Sequence, residues 1–308
     1  MPELPEVETV VRGLRASLPG RTIMEVRLGK TDFIDDPAAL GIQLPGTRIA
    51  EVARHGKFVC IRLESGPESR LQSNGSQPAE APAVYLIIHL GMTGQLTISR
   101  PDAPVASHTH CFFTLDDDRE LRYTDIRRFG RILLVPEPLM AEFIGRLGEE
   151  PLKIGAEEFC RDFGLRRARV KALLLDQSVL RGVGNIYADE SLFRAGLHPA
   201  RIAQGLTRKQ LLTLHRSVQE ILTAAIRMRG SSISDYVDAE GNRGEFQHNH
   251  RVYQREGKPC VNCEKKIRRV IVAGRSSFFC PHCQPPPRGH RRTPSKKNSQ
   301  PQMHTDKH

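Results

Sequence analysis

Apolar residues recur at three- and four-residue steps from Val7 through Val10, Val11, Leu14 and Leu18, the stripe of one amphipathic helix at the start of the chain. From residue 22 the pattern changes to short runs. TIMEVRLG (22–29), TRIAEVARH (47–55), KFVCIRL (57–63), VYLIIHL (84–90), CFFTL (111–115) and RILLV (131–135) read as strands separated by Gly, Pro and Asp turn signals. So many short strands predict a sandwich or a barrel. From about residue 151 the helical period returns. VKALLLDQSVL is followed by the glycine-punctuated turn RGVGN, and IYADESLFRAG reads as a helix closed by Gly196 with Pro199 beyond it. Residues 207–230 form a long amphipathic helix ending at Gly230, and 231–247 read as a polar loop. Two segments lack any period: 65–83, rich in Ser, Pro, Gly and Ala, and the Pro/Ser/Lys-rich 284–308. Both are expected to be disordered.

The opening MPELPEVETV places two prolines and three glutamates in the first eight residues. Proline fits a first helical turn because its missing N–H has no intrahelical partner there, and glutamates favour the positive end of the helix dipole. Helix initiation accounts for Pro5, Glu6 and Glu8 but not for Pro2. A small second residue permits removal of Met1, which would leave Pro2 as a free secondary amine.

At 308 residues the chain has room for two domains and a small appendage. No apolar run reaches membrane-spanning length and the N-terminus lacks the features of a signal peptide, so a soluble, intracellular protein is expected. The net charge of +11 is unevenly spread: residues 1–250 carry 32 basic and 32 acidic side chains, 251–283 eight and two, and 284–308 six and one. A neutral body with a cationic end suits an enzyme-sized scaffold with a grip for a polyanion; residues 284–308 alone read as a solvated tail.

Among seven cysteines, Cys60, Cys111 and Cys160 are scattered and read as reduced core residues. The other four form Cys260-x2-Cys263 and Cys280-x2-Cys283, the spacing of a four-thiolate zinc site pinched across a β-hairpin. A pair of disulfides is the alternative, disfavoured in a reducing compartment. Four protein thiolates leave the metal no open position, so its role is structural. The hairpin carries Arg268, Arg269 and, at its tip, Arg275, which suits a nucleic-acid reader, although zinc ribbons also bind proteins. In RGVGNIYADE (181–190) the glycines permit close backbone approach, and Asn185 opens a helix whose free N–H groups can hold a phosphate; such helix–turn–helix joints are also common as plain structure. HLGMTGQL (89–96) and YTDIRRFGR (123–131) put Met and Phe beside Arg at strand-to-turn junctions. These residues have the chemistry of wedges that enter a base stack, and equally that of ordinary core.

Taken in order, PELPEVET, Lys57 within RHGKF, HLGMTG, DIRRFG, VGNIYADE and the closing cysteine pairs resemble bacterial formamidopyrimidine-DNA glycosylases over roughly residues 2–283. The resemblance implies an α+β fold: an N-terminal helix plus β-sandwich (1–135, with 65–83 inserted), a linker (136–150), and a helix–two-turns–helix DNA-binding domain with a lesion-capping loop (151–247). A zinc-finger hairpin (248–283) and a basic tail (284–308) would follow. It implies a bifunctional DNA glycosylase/AP lyase of base excision repair that removes 8-oxoguanine and formamidopyrimidines through a Schiff base with β,δ-elimination. Pro2 would be the nucleophile, Glu3 the acid/base partner and Glu6 a support. Lys57 and Arg275 would act in the catalytic centre and, with His89 and Asn185, clamp the phosphates of the flipped nucleotide. Met92, Arg127 and Phe129 would fill the vacated stack, Arg127 facing the orphaned cytosine. Cys260, Cys263, Cys280 and Cys283 would hold one structural Zn2+. The partner would be double-stranded damaged DNA, with no membrane, and the protein a monomer of the bacterial cytoplasm, associated with the nucleoid.

Ser234 stands in RGSSISDY (229–236) where some relatives would carry a basic side chain, so the resemblance says less about base selectivity than about reaction type. The nearest rival is the endonuclease VIII branch, with the same chemistry on oxidised pyrimidines; Leu4 and IRRFG point to the purine branch instead. A noncatalytic DNA-lesion-binding zinc protein is the rival of another class, and binding alone gives no use to a terminal proline beside Glu3, Glu6 and Lys57.

Overall fold

The computed structural model describes residues 1–65, 83–233 and 235–287. Residues 66–82 of the expected disordered insertion, the basic tail beyond residue 287 and Ser234 lie outside the described residues; the ends of the two expected segments belong to the fold, since Ser65 ends a strand, Ala83 is buried and buried Gln284 accepts from the Cys280 N–H at 2.9 Å.

Helix α1 (Leu4–Ser17) lays Val7, Val10, Val11 and Leu14 into a core formed by two antiparallel four-stranded sheets. One sheet orders β1 (Ile23–Leu28), β6 (Thr109–Leu115), β7 (Glu120–Thr124) and β5 (Gln95–Ser99); the other orders β2 (Thr47–His55), β3 (Phe58–Ser65), β4 (Val84–His89) and β8 (Arg131–Pro136). Of the two expected outcomes, sandwich or barrel, the sandwich forms. The short helix α2 (Pro37–Gln43), capped by the Asp36 carboxylate on the Ala39 N–H, contributes Leu40 to the same core. The second sheet is covered on its outer face as well across β3, β4 and β8. Its outer residues Cys60, Ile87 and Val135 are covered by Met140 of α3 (Glu137–Gly145), which explains the unbroken apolar run in β4. The stretch 136–150, expected as a linker, thus contains a packed helix.

Strands β5 and β7 went unforeseen in the sequence. All five residues of β7 are buried, including Glu120 and Arg122, whose charges meet at 2.8 Å while Arg122 also donates to the carbonyls of Ala103 and Arg100. Paired internally, these charges can line a buried strand that would otherwise read as a surface turn.

A second core gathers α4 (Ala156–Gly164), α5 (Val170–Leu175), α6 (Asn185–Arg194) and α7 (Arg208–Arg227). Gly196 and Gly230, expected to close α6 and α7, lie just past the two helices at φ +66 and +76. The two cores interlock. Leu4 of α1 belongs to the helical core, whereas Tyr236 and Ala239, from the stretch read as a polar loop, are buried in the sandwich core. A third, small core joins Phe193 of α6 to the cysteine-rich hairpin β9 (Arg268–Val272) and β10 (Arg275–Phe279).

Helix α6 fastens that hairpin. Asp189 accepts from the Phe278 N–H at 2.9 Å, and Glu190 accepts from the N–H groups of Arg251, Val252 and Tyr253 at 2.9–3.0 Å. Fully buried Lys171 of α5 pairs with Asp189 at 2.7 Å and donates to the Ser276 carbonyl and the Ser277 hydroxyl. Removing one partner of such a pair leaves a buried charge uncompensated, at about 3–5 kcal/mol. Lys171→Met is expected to lose about that much in denaturant unfolding, and adding Asp189→Leu should recover part of it.

Candidate active site and zinc centre

The first residues of the chain end at the N-terminus of α6. Glu3 caps α1 and reaches across to α6, where its carboxylate accepts from the N–H groups of Gly184 and Ile186 at 2.9 Å and of Tyr187 at 3.4 Å. A Cβ at Gly184 would collide with that carboxyl group, so glycine is required there. The N–H groups that the sequence offered to a phosphate are therefore occupied by Glu3, which gains both the hydrogen bonds and the positive end of the helix dipole. Pro2 is buried beside it beneath the half-exposed Met1.

Glu6, one helical turn on, is as buried as Glu3, each being 1% exposed. Its carboxylate accepts from the Glu3 N–H at 2.8 Å, the Ser231 N–H at 2.7 Å and the Tyr187 hydroxyl at 2.5 Å. Burial, and then the charge of Glu3, raise its pKa to about 7 in spite of these three donors. Tyr236 donates to the Glu6 carbonyl at 3.2 Å, so the loop after α7 is tied to the first turn of α1.

Lys57 precedes β3, and the β3–β4 register sets Phe58 against His89. Lys57 is 8% exposed; burial lowers its pKa, the Glu3 carboxylate opposes this, Arg275 adds to the lowering and Glu6 opposes it again. His89 Nδ1 accepts from the Gly91 N–H at 3.1 Å, and burial together with Lys57 takes its pKa down to about 4. The ring is therefore neutral at pH 7 and presents Nε2–H as a donor. On the hairpin side, Asn185 donates to the Ser276 carbonyl at 3.0 Å and lies against the hydroxyl of Tyr253, and Arg275 is exposed at the start of β10. Pro2, Glu3, Glu6, Lys57, His89, Asn185 and Arg275 thus gather from both halves of the chain.

Met92, Arg127 and Phe129 stand apart from that group on two neighbouring loops. Met92 is 38% and Phe129 57% exposed, and the Arg127 guanidinium lies 4.6 Å from the Phe129 ring centroid. The loops are locked by Asp125, buried between them. It accepts from Thr93 at 2.5 Å, Tyr123 at 3.1 Å and the Gly130 N–H at 2.9 Å, while Thr93 accepts from the Arg127 N–H at 3.1 Å. Gly91 presses so closely on the Phe129–Gly130 backbone that any Cβ would clash, and at φ +59 it also needs glycine's freedom. Met92 and Phe129 are thus large apolar groups held outward on a buried polar knot, outside the core. Asp125 and Thr93 lie inside the quoted motifs, but only their burial reveals the role; the same holds for Tyr187, Ser231, Lys171, Asp189 and Glu190.

The four cysteine sulfurs of the hairpin lie within 4.8 Å of one another, with Cys263–Cys280 at 3.4 Å, Cys263–Cys283 at 3.6 Å and Cys260–Cys283 at 3.9 Å. Disulfide sulfurs would stand near ~2.05 Å, which excludes that alternative. Tetrahedral thiolates at ~2.3 Å from a zinc ion are spaced by about 3.8 Å, close to the 3.4–3.9 Å of those three pairs. The Asn262 and Cys283 N–H groups point at Cys260 and Cys280 sulfurs at 3.5 Å, as thiolates require. The chain therefore holds one structural zinc ion. Cys60, Cys111 and Cys160 are buried away from it with free thiols, and burial pushes those of Cys60 and Cys111 up to about 12.

Family models match three successive segments: the formamidopyrimidine-DNA glycosylase N-terminal domain over residues 1–132, the formamidopyrimidine-DNA glycosylase H2TH domain over 147–237, and the zinc finger found in FPG and IleRS over 257–286. The formamidopyrimidine-DNA glycosylase of Solibacter usitatus is 46% identical over 286 residues, covering 92% of this chain and 99% of its own. A Lactococcus lactis Fpg variant in complex with Fapy-dG-containing DNA matches with a TM-score of 0.82 at 31% identity, over 92% of this chain and 100% of that one. The wild-type Lactococcus lactis Fpg with an oxidised-pyrimidine-containing DNA matches with a TM-score of 0.80 at 30% identity, over 92% and 100%.

Because Glu6 has a folded-state pKa of about 7 against an ordinary 4.5, the folded protein binds the extra proton between those values. That contribution to stability is fully present below the ordinary pKa and lost as pH rises through the folded one. Equilibrium unfolding between about pH 5 and pH 8 should show the falling component, and Glu6→Gln should lack it. Stripping zinc with a chelator is expected to lower the melting temperature by several degrees and weaken binding to duplex DNA, since the hairpin's small core depends on the metal. Calorimetry and a fluorescence-anisotropy titration, with and without restored zinc, read both effects.

Proposed function

The chain belongs to the formamidopyrimidine-DNA glycosylase family, and on that premise we propose which of its residues carry out the reaction. It is a DNA glycosylase and AP lyase of base excision repair that acts on oxidised purines in duplex DNA. The observation that carries the residue assignment is the seat of Glu3: a buried carboxylate pinned to the α6 N-terminus directly beside Pro2.

Loss of Met1 frees the Pro2 nitrogen as a secondary amine. An α-amine has an ordinary pKa near ~8, against ~10.4 for a lysine side chain, so much more of it is nucleophilic near neutral pH. The target base is unreachable inside the duplex and must be flipped out, at a cost of a few kcal/mol in lost stacking. Met92 and Phe129 enter the vacated stack, and Arg127, held over Phe129, faces the orphaned base. Lys57, the His89 Nε2–H, Asn185 and Arg275 supply donors and charge to the backbone phosphates of the flipped nucleotide. The Pro2 nitrogen, its proton taken up by Glu3, attacks the anomeric carbon as the glycosidic bond breaks, and the departing base leaves with a proton. Because the amine is secondary, the ring-opened adduct is an obligate iminium. Its pull on the adjacent C–H bond lets a base remove that proton, and β- and then δ-elimination expel the two flanking phosphates. Water releases Pro2.

The parts divide as residues 1–135, 136–150, 151–247 with the lesion-capping loop, and 248–283, and the enzyme works as a monomer away from membranes, in the cytoplasm at the nucleoid. No helix among the described residues is long and apolar enough to cross a membrane.

Borohydride reduction of protein mixed with an 8-oxoguanine:cytosine duplex tests the assignment. A covalent adduct confined to the damaged duplex, mapped to Pro2 and abolished in Pro2→Gly, is expected. Adduct only with oxidised pyrimidines would move the chain to the endonuclease VIII-like specificity. No adduct from zinc-loaded protein that has lost Met1 would leave a noncatalytic lesion binder.

A further inference from the structure

Glu6 is sealed from solvent, but its hydrogen-bonding partners are not a dead end. The Tyr187 hydroxyl that donates to Glu6 Oε1 at 2.5 Å stands 3.3 Å from the Ser231 hydroxyl, and that hydroxyl stands 3.1 Å from Nε2 of His250. His250 lines a cavity of about 570 Å3 together with Ser232, His248, Tyr253, Arg255 and Lys258. An unbroken chain of exchangeable groups therefore joins the buried acid to a water-accessible surface.

We propose that His250 is the proton port of Glu6, exchanging one proton between the cavity and the carboxyl group through Ser231 and Tyr187. Every link can run in either direction. With Glu6 ionised, His250 Nε2–H donates to Ser231, Ser231 to Tyr187 and Tyr187 to Glu6. With Glu6 protonated, each donor becomes an acceptor, and the chain ends on the lone pair of Nε2. Switching from the first state to the second moves one proton along each link. The imidazole takes a proton from cavity water on Nδ1 and gives up the one on Nε2, ending neutral as its other tautomer. The reverse returns a proton to the cavity, so charge balances in both directions.

This deepens the assignment of Glu3 as acid/base partner and rests on it. Glu3 and Glu6 are both buried, and the charge of Glu3 raises the proton affinity of Glu6. When Glu3 takes the Pro2 proton, Glu6 releases its own down the chain; when Glu3 gives a proton up, Glu6 recovers one. The groups facing Glu6 are Glu3 and Lys57, with Tyr187 and Tyr236. Those around His250 are His248, Tyr253 and Arg255, whose guanidinium donates to the His250 carbonyl at 3.3 Å. Burial and His248 lower the His250 pKa to about 4, so the ring is neutral at pH 7 with one nitrogen open as an acceptor. His250 is a positioning residue that acts through Ser231 and Tyr187 on Glu6.

Single-turnover base excision on an 8-oxoguanine duplex tests the port. His250→Ala should slow excision by about tenfold, and free imidazole, which fits the emptied cavity, should restore it with a pH-dependent gain. His250→Gln, which keeps both hydrogen-bond polarities but passes no proton, should be as slow as His250→Ala. Imidazole should do nothing for Glu6→Gln. Wild-type rates and pH profile in His250→Ala would overturn the port, as would a slowed variant that imidazole leaves unchanged or a His250→Gln enzyme at full speed. Circular dichroism, zinc content and duplex affinity identify any variant that has merely lost its fold, and the His250→Gln result then decides. If wild-type protein forms no borohydride adduct, the Pro2–Glu3 assignment fails; if it forms one and the His250 variants behave as wild type, the port alone fails.

Discussion

The carboxylate of residue 3 seated in the N-terminus of a helix that begins at residue 185 is the contact on which the architecture turns. A buried carboxylate is tolerable only where donors surround it, and the first turn of α6 has several N–H groups with no other partner. Each charge-assisted hydrogen bond is worth about 1.5–3 kcal/mol. Once Glu3 is there, much follows. Leu4 falls into the helical core, α1 becomes shared between two bodies, Gly184 must lack a side chain, and Pro2 is held at the junction. The free N–H groups at the start of α6 are taken up in placing the chain start.

The same device recurs along α6. Its backbone holds Glu3 at one end, its side chains Asp189 and Glu190 hold the N–H groups of residues 278 and 251–253, and Asn185 reaches the Ser276 carbonyl. One helix therefore sets the register between the chain start and the zinc hairpin. This matters chemically, because it brings Arg275 of the hairpin close enough to Lys57 of the sandwich for each charge to be felt by the other. Zinc stabilises the hairpin internally; α6 decides where it points. Asp125 repeats the arrangement on a smaller scale, a buried carboxylate that ties two loops so that Met92 and Phe129 stay exposed without collapsing inward.

Several elements were legible without coordinates because their periodicity is local. The stripe of α1, the long helix α7, six strands and the cysteine spacing depend on residues close in sequence. The failures share a cause. β7 hides two charges that are neutralised by each other, by Arg27 of β1 at 2.6 Å from Glu120 and by loop carbonyls, and β5 pairs with it. α3 looked like a linker because its apolar partner is the far face of a sheet. Residues 235–239 looked polar although Tyr236 and Ala239 complete the core of a sandwich formed by the other end of the chain.

By itself the amino-acid sequence determined the types of chemistry present: a proline at position 2 beside acids, four thiolates at metal spacing, and Met, Arg and Phe at turn tips. Those properties belong to side chains and short spacings, and folding does not alter them. Only the tertiary structure decided which acid is which. Glu3 and Glu6 are alike in the sequence, but one meets the dipole of a helix 183 residues on, at Ile186, and the other a tyrosine, a serine N–H and a neighbouring charge in a sealed pocket. Proton affinity is set by surroundings, and surroundings assembled from distant segments are invisible until the chain closes on itself.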